Sequence, residues 1–241
     1  MRIIIIMVLL IAVKVNAQDF EIEYQVRFND LYDRGRNDRL HNGFLLIDNN
    51  KSRYYTVETE KYKPKDEHDV MIMPDTANQV YIDISSGVLF SEETDLRKKS
   101  FFVSDSLYPM KWKITAEERM IDSIRCIKAT CEFRGREYVA WFSPNIPLSF
   151  GPWKMGGLPG LIVDLQDSGE NLLIRLKRLS QKDVAINLPG AIRYSKDEHV
   201  AEIRKLFARL KESSRASSTG DCATCQQQSV IEFFSWEKIS Q

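Results

Sequence analysis

The sequence predicts a mainly β protein: a large curved antiparallel sheet, or a half-barrel, with one late amphipathic helix packed on it. Polar and apolar residues alternate with a period of two from Phe20 to Asn29, which is typical of a half-buried strand. Short β-like runs separated by turn residues continue to Arg178, and a segment after Ser195 has helical periodicity instead. Consecutive strands are therefore expected to pair as antiparallel hairpins.

The first 17 residues have the pattern of a secretory signal peptide. Arg2 precedes an apolar run from Ile3 to Val13, and small residues at Val15 and Ala17 predict cleavage after Ala17. This run is shorter than the roughly 20 apolar residues of a membrane-spanning helix, and no later segment is long and apolar enough to span. We expect an exported protein of the periplasm or the outer membrane, with residues 18–241 forming a single β-rich domain.

The predicted strands are separated by turn-forming residues such as Asn49-Asn50 and Asp167-Ser168-Gly169. After the first strand they are Gly43–Asp48, Ser52–Glu58, Val70–Met73, Gln79–Ile84, Gly87–Ser91, Phe101–Ser104, Lys111–Ile114, Ile124–Phe133, Glu137–Phe142, Leu161–Gln166, Asn171–Arg178 and Ile231–Trp236.

The predicted helix begins after Ser195, which forms a capping box with Glu198, and ends between Ser213 and Gly220. His199, close to the cap, is expected to be a solvated helix residue. One face carries the apolar residues Val200, Ile203, Leu206, Phe207 and Leu210.

Composition argues against a nucleic-acid partner. The signal carries two of the 34 basic residues, so 34 − 2 = 32 remain against 34 acidic ones, and no basic cluster stands out. With three histidines and no spacing that selects an acid and base pair, we expect neither a cofactor nor a metal site, and we favour a protein that is not an enzyme.

Four cysteines in an exported chain predict disulfides. Cys126 and Cys131 lie on one predicted strand about 16 Å apart and on opposite faces, so they cannot bridge each other. A local Cys222–Cys225 bridge, or one joining this CATC pair to Cys126 or Cys131, stays open. The CATC pair follows a helix C-terminus and adjoins an aspartate, which favours a structural bridge or inert thiols over a redox or metal site.

Three tryptophans, Trp112, Trp141 and Trp153, are candidate binding residues because ligand pockets are largely apolar. A place in the hydrophobic core is the favoured alternative.

The stretch GPWKMGGLPGLIVDL, residues 151–165, is rich in glycine and proline. A phosphate-binding loop would lead into a helix, whereas these glycines lead into the apolar strand that begins at Leu161. Pro152 and Pro159 restrict the backbone, and the glycines permit positive φ. The segment is therefore predicted to be a rigid double turn that feeds a strand. Gly160 is predicted to allow a close approach by another backbone or by a ring such as that of Trp141 or Trp153.

The same residues carry a family resemblance. The hexapeptide Gly157, Leu158, Pro159, Gly160, Leu161 and Ile162 matches the motif that names the GLPGLI family of exported proteins, found widely in Bacteroidota. The surrounding block from Tyr138 to Leu165 resembles the signature of that family. Because the family is largely uncharacterised, the resemblance implies an envelope protein of Bacteroidota and supplies no catalytic residues.

These observations favour a non-enzymatic protein that binds an apolar ligand or an envelope protein partner on the concave face of its sheet. The alternative is a thiol-redox or metal-handling factor that uses Cys222 and Cys225, with Met71 and Met73 as additional ligands. A hydrolase whose site lies on loops is a third hypothesis.

Overall fold

Twelve β-strands form one open sheet, and a single helix follows them in the computed structural model, which describes residues 19–28, 39–58, 79–95, 99–169 and 172–217. The elements are β1 (Phe20–Phe28), β2 (Arg39–Asp48), β3 (Lys51–Glu58), β4 (Gln79–Asp83), β5 (Val88–Thr94), β6 (Ser100–Ser106), β7 (Lys113–Ile121), β8 (Ile124–Phe133), β9 (Arg136–Ser143), β10 (Leu161–Asp167), β11 (Leu172–Gln181), β12 (Ile192–Ser195) and α1 (Lys196–Ser217). The predicted mainly β class with a late helix is confirmed.

The sheet consists of two antiparallel meanders joined through their outermost strands. Its order is β12-β6-β5-β4-β3-β2-β1-β11-β10-β9-β8-β7. The joint is the antiparallel pairing of β1 with β11, which runs from Phe20 opposite Gln181 to Phe28 opposite Leu172. The predicted hairpins are thus confirmed within each meander. The sequence did not predict β12, a four-residue strand that pairs parallel to β6.

The sheet is strongly curved, because its two ends are tied together by short distances. Strands β6 and β7 lie ten positions apart in the sheet, which would be roughly 48 Å if it were flat. The six residues between them, 107–112, reach at most about 25 Å. In addition, Arg134 Nη2 in the β8–β9 turn donates to Asp105 Oδ2 on β6 at 2.8 Å. The expected curvature is therefore present.

Alternating residues divide the sheet into two faces. On β1, Ile22, Tyr24 and Val26 are fully buried and belong to the main hydrophobic cluster. In the order of the sheet, this cluster extends from β5 through β1 and β11 to β8. We call this concave side the inner face. Glu23 and Gln25 alternate with these residues and lie on the opposite side, which we call the outer face.

The start of α1 has the predicted capping box: the Ser195 backbone N–H donates to Glu198 Oε2 at 2.8 Å, and the Glu198 N–H donates to Ser195 Oγ at 3.4 Å. The expectation that His199 is solvated is wrong, because its side chain is only 6% exposed. Its ring stacks on Tyr194 and meets the edge of Phe101. Burial, followed by the charges of nearby lysine and arginine, lowers the pKa of His199 to about 4.

Several predictions fall on residues outside the described part of the chain. These are the signal peptide 1–17, the strands Val70–Met73 and Ile231–Trp236, and the CATC pair. Over the residues that the structure does describe, no helix is both long and apolar enough to cross a bilayer.

The Arg134–Asp105 contact links the β8–β9 turn to β6 across the curved sheet. Arg134→Ala should lower the free energy of unfolding by about 1–3 kcal/mol, since the Asp105 side chain, only 7% exposed, then loses a donor. Urea denaturation of the single and double variants with Asp105→Ala should give a coupling energy of at least about 0.5 kcal/mol. Lys196 Nζ lies 3.4 Å from the same carboxylate. The stability of Lys196→Ala is therefore compared with that of Arg134→Ala, to separate the effects of the two cations on Asp105. Strict additivity of the Arg134 and Asp105 variants would contradict a role for this contact.

Candidate functional site

The glycine-rich segment is a folded turn that lies on the inner face. Phe150 and Gly156 form an isolated bridge, and the Gly157 N–H donates to the Ser149 carbonyl at 2.7 Å. Within the turn, residues 150–158, four side chains are buried in the main cluster: Phe150, Trp153, Met155 and Leu158. Leu161 then begins β10, so the predicted turn before a strand is confirmed.

Two glycines of the motif are required for different physical reasons. Gly157 has a φ of 83°, a left-handed conformation that favours glycine, although its Cβ direction is open. A Cβ on Gly160 would overlap the carbonyl oxygen of Ser143. The close approach predicted at Gly160 is therefore made by the backbone of β9, and neither tryptophan ring is among the nearest atoms.

Trp112 and Trp153 both contribute to the inner face. Trp112 Nε1 donates to the Gly156 carbonyl at 2.8 Å and thereby ties the 107–112 linker to the turn. Trp153 is 6% exposed, packs edge-on against Phe133, and has a left-handed φ of 55°. Its Nε1 has no acceptor among the described residues. Both side chains therefore lie where the sheet and the turn pack together.

Trp141 lies on the outer face, away from the other two tryptophans. It packs, partly buried, against a second small cluster formed by Ile121, Cys126 and Val163. The Arg119 guanidinium lies over the indole, 4.0 Å from the ring centroid, at cation–π distance. The cluster thus combines apolar surface with a cation at its edge.

A buried carboxylate stands beside Trp141. Asp164 is 1% exposed. Its Oδ2 accepts hydrogen bonds from Arg175 Nε at 3.1 Å and from Arg175 Nη2 at 2.8 Å. Arg119 Nη2 lies 3.1 Å from the same oxygen. Asp164 Oδ1 is buried and has no hydrogen-bond partner among the described residues. Two guanidinium groups therefore share one carboxylate oxygen.

A β-bulge puts Asp164 in this position. Ile162 pairs with Phe142 and Asp164 pairs with Trp141, so Val163 is an extra residue on β10. The bulge breaks the alternation of the strand. As a result, Val163 and Asp164 both lie on the outer face, and Leu165 lies in the inner core. The sequence analysis missed Asp164, Arg119 and Arg175. The available signal was an acidic residue inside the apolar run LIVDL, which requires a partner when buried.

Cys126 and Cys131 are both buried free thiols on opposite faces of β8. Burial is the largest cause that raises the pKa of each thiol to about 11. Near Cys126, Arg119 partly offsets this rise. These two thiols are therefore protonated near neutral pH.

The three predicted tryptophans are thus not brought together: Trp112 contacts the turn and Trp153 is part of it, whereas Trp141 lies on the other face. Within the described ranges, no group of three or more histidine, cysteine, aspartate or glutamate residues is arranged to hold a metal ion.

The glycine requirements can be tested with three alanine variants. Gly160→Ala should lower the free energy of unfolding by about 3 kcal/mol, because its Cβ would overlap backbone. Gly157→Ala should cost about 1 kcal/mol from its left-handed φ alone. Gly190→Ala, where a Cβ meets open space, is the control. The measurement is the midpoint of chemical denaturation, and similar values for Gly160→Ala and Gly190→Ala would contradict the close approach.

Thiol reactivity tests the raised pKa values. In a Cys222→Ser/Cys225→Ser background, the native protein at pH 8 should react with dithiobis(nitrobenzoate) about a hundredfold more slowly than in urea, because few of the buried thiols are ionised. The native rate should increase as the pH rises towards the pKa of about 11. Rapid, pH-independent labelling of the folded protein would contradict this expectation.

Comparison with known proteins gives a family of unknown function and a shared fold. The model of the family described as "Protein of unknown function (Porph_ging)" matches residues 132–164, which run from the end of β8 through the turn to Asp164. None of the curated proteins is similar enough in sequence to count as a relative.

Two crystal structures of PNGF-II, in space groups C2 and P21, resemble the chain with a TM-score of 0.50 and 14% sequence identity. They match 74% and 76% of this chain, which spans only about a third of their length: 31% and 32% of the respective chains. The similarity therefore concerns the fold. The segment that contains the turn and the bulge thus resembles a family of proteins whose function is unknown. The fold of the sheet resembles that of two solved structures.

Proposed function

We propose that the chain is an exported GLPGLI-type protein of the cell envelope that binds an apolar ligand or a partner protein and catalyses no reaction. The leader pattern of residues 1–17 supports export. The GLPGLI motif lies within the segment, 132–164, that matches the family of unknown function. The binding surface is the outer face around Trp141.

The observation that carries this proposal is the outer-face cluster itself. Ile124, Trp141 and Leu176 are partly buried there and pack on a small apolar group at the surface of the sheet. Partly exposed aromatic surface beside cations is typical of binding sites, where Trp and Arg contribute most of the affinity. The concave face predicted from the sequence suits a ligand less well, because the turn residues Phe150 and Trp153 pack into its core.

The proposal predicts that Trp141 and Trp153 respond differently to truncation. Trp141→Ala should abolish most of the retention of a bound molecule, measured by native mass spectrometry of protein recovered from its own cell envelope, with a modest loss of stability. Trp153→Ala should instead lower the free energy of unfolding by about 3–5 kcal/mol, because it empties a core position.

Trp141→Phe is the matched control, since it keeps an aromatic surface at the site. A wild-type protein that carries no ligand or partner, or a Trp141→Ala variant that retains it fully, would contradict the proposal.

A further inference from the structure

Two carboxylates of the outer face, Asp164 and Glu23, are each contacted by two cations. Asp164 is shared by Arg119 and Arg175, whose side chains are 40% and 49% exposed. Glu23, on the neighbouring strand β1, is likewise contacted by Lys177 and Arg178. These two groups therefore hold four cations and two carboxylates.

Nearby cations on β8 lack this excess. Lys128 Nζ donates to both Glu117 oxygens at 2.9 Å, and Arg125 pairs with Glu118. These are one-to-one pairs. Asp105 also has two cationic partners, Arg134 and Lys196, but both side chains are mostly buried. The combination of two exposed guanidinium groups with one buried carboxylate is therefore specific to the surroundings of Asp164 in this part of the sheet.

The geometry leaves donors available for a second anion. A guanidinium has five N–H groups, and Arg175 directs Nε and Nη2 towards Asp164 Oδ2. Arg119 approaches the same oxygen through Nη2 only. Because Asp164 is buried at the base of the pair, it orients both guanidinium groups while their exposed sides remain open to an oxyanion. Asp164 is in this sense a positioning residue.

Apolar surface adjoins these donors. Arg119 lies over the Trp141 indole, which packs with Ile124 and Leu176 around the small cluster of Ile121 and Val163. A ligand that contacts both parts must have an apolar body and an anionic head. A neutral apolar molecule would leave one of the two guanidinium charges without a counter-charge, because Asp164 neutralises only one.

We propose that Arg119, Arg175 and Trp141 form a binding site for an amphiphilic acid, whose carboxylate or phosphate group is held by the two arginines and whose apolar body lies against Trp141. This inference rests on the proposed binding function and names the chemical class of its ligand. The head group comes either from a free carboxylic acid or from a phosphorylated lipid, and both share the oxyanion chemistry.

The test compares three probes with the same apolar body: octanoate, octyl phosphate and octanol, each titrated calorimetrically into the mature protein below its micellar concentration. At least one of the two anions should bind about tenfold or more tightly than octanol, since a charge-assisted hydrogen bond is worth about 1.5–3 kcal/mol. Preference for octanoate identifies a carboxylic acid, and preference for octyl phosphate identifies a phosphorylated head group. Equal binding of all three probes, or no binding of either anion, overturns the inference.

Variants assign the effect to the two arginines. Arg119→Gln and Arg175→Gln should each lower the affinity for the preferred anion about tenfold, whereas octanol binding should not change. Lys128→Gln is the control, because it removes a cation of the same face that pairs one to one with Glu117 and leaves the Asp164 pair intact. If Lys128→Gln weakens binding as much as the site variants do, the attraction is a general charge effect and the inference fails.

A buried aspartate left with one partner can destabilise the fold, so the double variant Arg175→Gln/Asp164→Asn removes both charges together. This double variant should fold, and its affinity for the anion should be about tenfold lower than that of the wild type. Full affinity in this folded variant overturns the inference. Trp141→Ala separates the two proposals. If octanol and octanoate bind the wild type equally and neither binds this variant, the apolar binding function stands and the oxyanion site does not.

Discussion

The curl of the sheet is the constraint on which the rest of the structure depends. Strands β6 and β7 lie near opposite ends of a twelve-stranded order, yet six residues connect them. The sheet must therefore bend, and its concave side must be filled. The turn at 150–158 provides that filling, held by Trp112 and by backbone bonds to its own base. The left-handed backbone of Trp153 and the close approach at Gly160 are local costs of placing a turn there.

The two faces consequently have different chemistry. The inner face is mainly apolar, and its cluster extends across the sheet from β5 through β1 to β8. On the outer face, one extra residue in β10 directs Asp164 among side chains that would otherwise form a plain apolar patch. A buried carboxylate is stable there only because two guanidinium groups compensate its lost hydration. The same bulge therefore explains both the buried charge and the exposed cations above it.

Local patterns predicted the local structure well. The alternation after Phe20, the capping box at Ser195 and the opposite faces of Cys126 and Cys131 each depend on residues close in sequence, and the structure agrees with all three. The site combines side chains from β7, β9, β10 and β11, which span five adjacent strands of the sheet, and it depends on a bulge in β10 that shifts the alternation by one residue. Neither the contact between these separated strands nor the bulge follows from a local pattern. For the same reason β12 was missed, because four residues gain strand structure only by pairing with distant β6.

The joint between the meanders also determines how the protein can fold. Because Phe20 pairs with Gln181, the first strand of the sheet has no neighbour on that side until almost the whole β region is present. Each meander can form its hairpins early, but the long loop closure between β1 and β11 comes with a large entropic cost and slows completion of the sheet. In the exported protein proposed above, the β1–β11 pairing would complete the sheet only after both meanders have crossed the membrane.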